Sequence, residues 1–168
     1  LAASAQNILP EPEEIVGLVH NDLTRQFISL NVFATLCYAR FDLEQGHLVL
    51  VDCGHTKPVY FRRRTGTCEL LQGDNMPLGF SEQESYRQVV FPLEAGDMIV
   101  FYSDGVTEAR NLAGAFFGID RLMEIIHAQQ YLEPQHLIDA ICSEVRAFTG
   151  AETWADDLTC VVVRLAET

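Results

Sequence analysis

The middle of the chain consists of short apolar runs separated by turn residues, and this succession restricts the fold more than any other feature of the sequence. Between residues 32 and 103 the runs follow one another after short turns, which is typical of antiparallel sheets. Two later segments, 119–129 and 134–148, carry apolar residues at three- and four-residue spacing and predict helices. Strands grouped apart from helices predict an α+β layer fold.

The individual elements follow from the same periodicities. The strand candidates are 32–40, 47–52, 58–63, 68–72, 86–91, 98–103 and 158–165. A helix is predicted before them, from Glu13 onward, and its apolar residues at helical spacing are Ile15, Leu18, Val19 and Leu23. The opening residues 1–7 look like the end of an earlier helix, and residues 149–155 are rich in turn formers.

Size and charge limit the classes of function. With 168 residues, of which 48% are hydrophobic, the chain can bury a core, and we expect one domain over residues 1–168. The formal net charge of −13 repels phosphate backbones and anionic lipids, so we expect neither nucleic acid nor a membrane as partner. No apolar run approaches the roughly 20 residues that span a bilayer. Five cysteines without a CxxC pair are typical of reduced thiols, and together these features predict a cytoplasmic location.

Two acidic motifs stand at the ends of apolar runs. Asp104 follows the run 98–102, and Gly105 behind it permits a sharp turn. Asp156 and Asp157 come just before the run 160–163. If the two strands are antiparallel neighbours, the carboxylates of Asp104 and Asp156 meet at one rim of the sheet. Divalent cations prefer such oxygen ligands, so the sequence predicts a metal site there.

These motifs belong to a longer ordered series. Its members are 33–36 (Phe-Ala-Thr-Leu), 54–58 (Gly-His-x-x-Pro), 77–79 (Pro-Leu-Gly), 96–111 around Ser-Asp-Gly, 117–118 (Phe-Gly) and 156–159 (Asp-Asp-Leu-Thr). In this order they resemble the metal-dependent type 2C (PPM) protein phosphatases, specifically the bacterial sporulation stage II E (SpoIIE) subgroup, which regulates alternative sigma factors. The segment around Asp104 and the terminal Asp-Asp-x-Thr carry most of the resemblance.

The resemblance implies a fold and a set of ligands. It implies an αββα sandwich in which two antiparallel sheets, flanked by helices, hold two or more manganese or magnesium ions. Asp104 and Asp156 would be the catalytic metal ligands, Asp157 would support the site or bind a further ion, and Gly105 is counted with the metal-binding positions. Such ions lower the pKa of a bound water and neutralise phosphoryl charge, so no covalent intermediate is needed.

The resemblance also implies a substrate and a context. The expected activity is hydrolysis of phosphoserine or phosphothreonine on a regulatory protein, such as a phosphorylated anti-sigma-factor antagonist. An N-terminal sensor or receiver domain usually precedes such a phosphatase domain.

One departure from the family pattern leaves two hypotheses open. The Gly-Asp-x-x-Asp and Gly-Asp-Val-x-Gly-His-Gly motifs, which supply further metal ligands in the family, are absent from this sequence. Either the chain is an N-terminally truncated piece of an active enzyme, which its start at Leu1 favours, or it is a non-catalytic phosphatase-like module that binds a signalling partner. In both cases we expect this chain alone to bind metal weakly or not at all. An apolar face left where the absent strands belong would favour homodimers.

Other polar residues near the motifs have simpler interpretations. His55 could be a general acid, but a turn histidine held by backbone hydrogen bonds is the favoured interpretation. Ser103 and Thr159 have no His/Asp relay beside them in the sequence, so we expect them to support the site or cap the backbone.

Overall fold

The computed structural model describes residues 9–150 and 156–166. Along the chain the elements are α1 (Pro12–Leu30), β1 (Leu36–Asp42), β2 (His47–Cys53), β3 (Val59–Arg62), β4 (Thr67–Leu70), β5 (Val89–Pro92), β6 (Met98–Tyr102), α2 (Asp104–Thr107), α3 (Ile119–Ala128), α4 (Pro134–Thr149) and β7 (Cys160–Arg164). They form two compact units, Leu1–His55 with Gly73–Pro92 and Thr56–Gln72 with Leu93–Thr168. Two antiparallel sheets and helices confirm the predicted α+β class. The predicted helix end at 1–7 and most of the predicted turn 149–155 lie outside the described residues.

The first unit contains a three-stranded sheet of order β1-β2-β5 and helix α1. Strands β1 and β2 pair over seven residues, from Leu36 opposite Cys53 to Asp42 opposite His47. Helix α1 packs on these two strands. The first unit has a small hydrophobic core of buried residues: Val16, Val51, Cys53, Leu78 and Tyr86.

The predicted apolar stripe of α1 is not its buried side. Leu18 is 62% exposed, whereas the buried positions are Pro12, Val16, His20 and Thr24. The polar members of this face are buried because they satisfy one another: His20 Nδ1 lies 2.9 Å from the Thr24 hydroxyl and 2.8 Å from the hydroxyl of Tyr86. Buried polar groups are tolerated when they are hydrogen-bonded in this way.

Two predicted strands begin later in the structure than the sequence suggested. Asn31 ends α1 with a left-handed φ of 53°, and Val32 N donates to Phe27 O, so residue 32 still belongs to the helix end. Strand β1 therefore starts at Leu36 instead of residue 32. Likewise, β5 starts at Val89 and not at Tyr86, which bonds His20 instead.

The second unit contains a four-stranded antiparallel sheet of order β4-β3-β6-β7. Helix α3 contacts β3 and β4, α4 contacts β7, and the two helices contact each other. Of the apolar positions that the spacing predicts to be buried, Ile125 is only partly buried against this core. The others are fully buried in it: Leu122, Ile126, Leu137, Ile141 and Val145. None of the helices in the described ranges is long and apolar enough to cross a membrane.

Among the residues that the structure describes, each unit buries one aspartate, and the two aspartates differ in their hydrogen bonds. In the second unit, Asp97 is 1% exposed and accepts hydrogen bonds from the Tyr60 hydroxyl, from Arg63 N at 2.8 Å and from Glu94 N at 2.9 Å. In the first unit, Asp52 is 3% exposed; its Oδ2 accepts from Gly73 N at 3.2 Å, while Oδ1 has no partner among the described residues.

This difference predicts opposite effects of the same substitution. Asp97→Asn places an amide NH₂ against a donor and is expected to lower the free energy of unfolding by about 1–3 kcal/mol. Asp52→Asn removes a buried charge with an unpartnered oxygen and is expected to raise it by about 1 kcal/mol. Urea denaturation followed by circular dichroism measures both. If Asp52→Asn lost as much stability as Asp97→Asn, this would contradict the conclusion that Asp97 is fully hydrogen-bonded and Asp52 is not.

Buried thiols predict a loss of stability at alkaline pH. The five cysteines are free thiols, and burial together with Asp52 raises the pKa of Cys53 from 9.0 to about 12, while burial raises that of Cys160 to about 12. Above pH 9 the unfolded chain releases thiol protons that the folded chain retains, so stability is expected to fall between pH 9 and 12. Denaturation at a series of pH values gives the slope of the unfolding free energy against pH. Replacing Cys53 and Cys160 by alanine should make this slope shallower, and an unchanged slope would exclude the two thiols as its cause.

Candidate metal centre

Backbone pairing in the second unit brings the two acidic motifs to one end of its sheet. Strands β6 and β7 are antiparallel neighbours, and Tyr102, the last residue of β6, lies opposite Cys160, the first residue of β7. The pairing continues by one more hydrogen bond, from Ser103 N to Thr159 O at 3.0 Å. The predicted antiparallel neighbourhood of the two strands is therefore correct.

Hydrogen bonds of the Ser103 hydroxyl link the two motifs. Its hydroxyl donates to the carbonyl oxygen of Asp157 at 2.9 Å and accepts from Thr159 N at 2.9 Å. Because both hydrogen bonds reach the opposite motif, Ser103 fixes the backbone of residues 157–159 relative to Asp104. This is the supporting role expected from the sequence.

Gly105 is required for a reason that the sequence did not reveal. It lies in the four-residue helix α2 and not in the predicted sharp turn. A Cβ atom built on Gly105 would lie 2.4 Å from Asp157 O and 3.1 Å from Asp157 C. Only a residue without a side chain fits against this carbonyl, so the glycine sets how closely the two motifs approach.

The three carboxylates are exposed, and two of them are oriented by the neighbouring backbone. Asp104 Oδ1 accepts from Gly105 N at 3.0 Å, and Asp156 Oδ1 accepts from Asp157 N at 2.8 Å. Each of these hydrogen bonds engages Oδ1 of its carboxylate, and both side chains are exposed. Asp157, whose carbonyl contacts Ser103 and Gly105, is also exposed.

The donor set fits part of a site for a hard cation. Carboxylate oxygens are the ligands that Mg²⁺ and Mn²⁺ prefer, and the two motifs offer them at adjacent strand ends. Within residues 9–150 and 156–166, however, no group of three or more His, Cys, Asp or Glu side chains could hold a metal ion. The metal roles of Asp104, Gly105, Asp156 and Asp157 therefore stay predictions.

A cavity of about 900 Å³ lies beside the second motif. The described residues that line it are Asp139, Cys142, Ser143, Arg146, Asp156, Asp157 and Leu158. The apolar spacing of α4 alone does not reveal this wall. A signal is nevertheless present in the sequence, since positions 139, 142, 143 and 146 share helical spacing and lie on the side away from the buried positions 137, 141 and 145.

The predicted histidine candidate lies in the first unit. His55 Nδ1 is 3.2 Å from the hydroxyl of Thr35, a contact that holds the imidazole in its turn. The partner is a side-chain hydroxyl, whereas the favoured interpretation expected backbone hydrogen bonds.

Comparison with known proteins identifies the family. The family described as Stage II sporulation protein E (SpoIIE) matches residues 2–166. The chain belongs to the SpoIIE family.

Two curated relatives are longer than this chain. The chain is 28% identical over 164 residues to the phosphoserine phosphatase RsbU of Bacillus subtilis (strain 168). This aligned region covers 95% of this chain and 48% of RsbU. The chain is 27% identical to protein IcfG of Synechocystis over 88% of this chain and 23% of IcfG. The chain thus spans about half, or less, of the length of these relatives.

Solved structures share the fold. The SiaA-PP2C domain of Pseudomonas aeruginosa superposes with a TM-score of 0.78 at 18% identity, over 92% of this chain and 61% of that domain. The Mn-presoaked phosphatase domain of SpoIIE from Bacillus subtilis gives a TM-score of 0.63 at 21% identity, over 99% of this chain and 78% of that one. The fold is therefore that of PP2C phosphatase domains, as the motif series predicted.

The close approach at Gly105 predicts a position-specific effect of alanine. Gly105→Ala is expected to displace the Asp157 carbonyl and to cost about 1–3 kcal/mol of unfolding free energy, because the added methyl group meets backbone. Gly17→Ala in α1 is the matched control: its Cβ meets nothing within 4 Å, and it is expected to stabilise the helix by about 1 kcal/mol. Denaturant titration of both variants is the measurement, and a Gly105→Ala protein as stable as the control would contradict the close approach.

Proposed function

We propose that this chain is the phosphatase domain of a metal-dependent phosphoserine/phosphothreonine protein phosphatase. The observation that carries the proposal is the pairing of β6 with β7, which brings Asp104 and the Asp156-Asp157 pair to one end of a sheet. Membership of the SpoIIE family supports it, as does the similarity to RsbU, which is named a phosphoserine phosphatase.

In this proposal each polar residue of the strand ends has a distinct role. Asp104 and Asp156 would hold Mn²⁺ or Mg²⁺ through the oxygens that their backbone hydrogen bonds leave open, with Asp157 beside them. Bound there, the ions would supply an activated water and neutralise charge on the phosphoryl group. Ser103 acts as a positioning residue: its hydroxyl already donates to Asp157 O, so its proton is not directed at a substrate.

The proposed substrate is a phosphorylated regulatory protein of the anti-sigma-factor antagonist type. The net charge of −13 repels a phosphoprotein, so its approach requires cations at the site. The resemblance to SpoIIE-type phosphatases supports this substrate class, two or more ions in the complete domain and an N-terminal sensor or receiver domain. A single domain over residues 1–168, a cytoplasmic location and homodimers stay predictions.

A non-catalytic interaction module is the second candidate. It is favoured by the lack of a three-residue metal-ligating group in the part of the chain that the structure describes. Turnover separates the two hypotheses, because a module that only binds a signalling partner hydrolyses nothing.

The decisive test replaces a carboxylate by its amide. The complete protein with Mn²⁺ is expected to hydrolyse p-nitrophenyl phosphate, and Asp104→Asn or Asp156→Asn should lower kcat at least about a hundredfold, because the ions supply several kcal/mol of transition-state stabilisation. Asp22→Asn, an exposed position in α1, is the matched control and should leave kcat unchanged. Activity that survives Asp104→Asn would refute the phosphatase mechanism, and absence of turnover in the unsubstituted protein would favour the interaction module.

A further inference from the structure

A row of exposed residues without polar side chains lies in the loop between α2 and α3 of the second unit. All five residues of this range, 112–116, are exposed: Leu112, Ala113, Gly114, Ala115 and Phe116. Leu112 is 95% exposed and Phe116 is 46% exposed. We call residues 112–116 the apolar tip. Exposed apolar residues that stand alone are ordinary on protein surfaces, whereas several in succession mark an interaction site.

The backbone of the apolar tip is held by hydrogen bonds. Asn111 N donates to Ala115 O at 3.0 Å, and Gly114 N donates to Asn111 O at 2.8 Å. The Oδ1 atom of Asn111 accepts two more hydrogen bonds, from Ala113 N and Ala115 N, each at 3.0 Å. A surface whose backbone is already ordered loses little conformational entropy when it binds, so the tip is preorganised for a partner.

Side chains at the base of the apolar tip fix its position on the unit. The Arg110 guanidinium lies 3.9 Å from the centre of the Phe116 ring, and its Nη1 atom donates to Gly114 O at 3.1 Å. Phe117, the next residue, is 2% exposed and belongs to the hydrophobic core of the unit. Leu112 is therefore exposed on a fixed base.

Two contacts place the apolar tip on the side of the unit that carries the candidate metal centre. Gly118 N donates to Thr107 O at 2.9 Å, which ties the loop to α2, the short helix that begins at Asp104. A Cβ atom on Gly150 would lie 4.0 Å from Leu112 Cδ1, so the Leu112 side chain lies at the C-terminal end of α4. The polar side of α4 lines the cavity beside the second acidic motif. A folded protein that presents a phosphoserine to this side of the unit also meets the tip.

Size and charge decide which occupant fits the apolar tip. One fully exposed leucine, one half-exposed phenylalanine and two alanines offer roughly 300 Å² of apolar surface. A stable dimer buries about 800 Å² on each partner, so the tip alone is too small to hold two copies of this chain together. The net charge of −13 opposes insertion into an anionic lipid surface. An area of this size suits a transient contact that adds to a second contact at the site, as between an enzyme and a protein substrate.

We propose that the apolar tip is a docking element for the folded phosphoprotein substrate, with Leu112 inserted into an apolar groove beside the phosphoserine of that protein. This inference deepens the proposed function and rests on it for the identity of the substrate. The phosphoryl group alone does not distinguish one phosphoprotein from another, because every phosphoserine presents the same oxygens. A fixed leucine away from the reacting atoms adds binding energy that a small phosphate ester does not receive.

The test compares two substrates of the complete protein with Mn²⁺: a purified anti-sigma-factor antagonist of the same organism, phosphorylated on serine, and p-nitrophenyl phosphate. The measured quantity is kcat/KM for the phosphoprotein divided by kcat/KM for p-nitrophenyl phosphate. Leu112→Ser is expected to lower this ratio about tenfold, because the burial of a leucine side chain against the substrate is lost. Leu112→Met, which keeps an apolar side chain, should retain most of the ratio.

Leu43→Ser is the matched control. Leu43 is 72% exposed in the turn between β1 and β2, where it stands alone between Asp42 and Glu44. This variant is expected to leave the ratio unchanged. A ratio that Leu112→Ser does not lower, or that Leu43→Ser lowers equally, overturns the inference.

Binding without turnover is the second readout. In EDTA, Leu112→Ser is expected to weaken the affinity for the phosphorylated and the unphosphorylated antagonist by the same factor of about ten, because the tip contacts neither the phosphoryl group nor a metal. Isothermal titration calorimetry measures both affinities. A loss confined to the phosphorylated form would assign the effect to the phosphoryl site and overturn the inference. An unsubstituted protein that sediments as a dimer, and that Leu112→Ser converts to a monomer, would identify a second copy as the occupant and would overturn it too.

The two readouts separate this inference from the proposed function. If neither substrate is hydrolysed but binding of the antagonist depends on Leu112, the phosphatase proposal fails and the inference stands. If hydrolysis requires Asp104 while Leu112→Ser matches Leu43→Ser in the ratio and in binding, the phosphatase proposal stands and the inference fails. Absence of both hydrolysis and binding refutes both.

Discussion

The antiparallel pairing of β6 with β7 is the constraint on which the candidate site depends. Its register sets Tyr102 opposite Cys160, and from there Ser103 extends the contact to Asp157 and Thr159. A slip by one residue would turn every side chain of β7 to the other face of the sheet. It would also move the Asp157 carbonyl away from Ser103 and Gly105, so the ladder and the site are specified together.

Sequence patterns predicted the elements of this ladder well and their side chains less well. The runs 98–102 and 160–163 are continuously apolar and the two C-terminal helical segments are periodic, and each of these patterns corresponds to an observed strand or helix. In α1 the same kind of pattern predicted the wrong side of the helix to be buried. His20 and Thr24 are buried because Tyr86, distant in sequence, completes their hydrogen bonds, and no local periodicity encodes that partner.

Two features of the site depended on contacts that a sequence does not display. The sequence shows the Ser-Asp-Gly motif and suggests a turn at Gly105, whereas the structure shows a steric limit set by the Asp157 carbonyl. Exposed polar residues on a helix are usually solvated, so the sequence alone does not mark the polar side of α4 as the wall of a cavity. Only the fold shows that Arg146 and Ser143 share a cavity with Asp156, ten or more residues further along the chain.

The order in which the chain visits the two compact units has a consequence for how it can be divided. The chain completes neither unit before it enters the other, since residues 56–72 belong to the second unit and residues 73–92 return to the first. Any single cut of the polypeptide therefore leaves at least one unit without all of its segments. During synthesis, the β3–β4 hairpin emerges well before β6, which pairs with β3 in the sheet. One edge of β3 therefore stays unpaired until about residue 100 has been made. A simple gene fission therefore cannot yield both units intact.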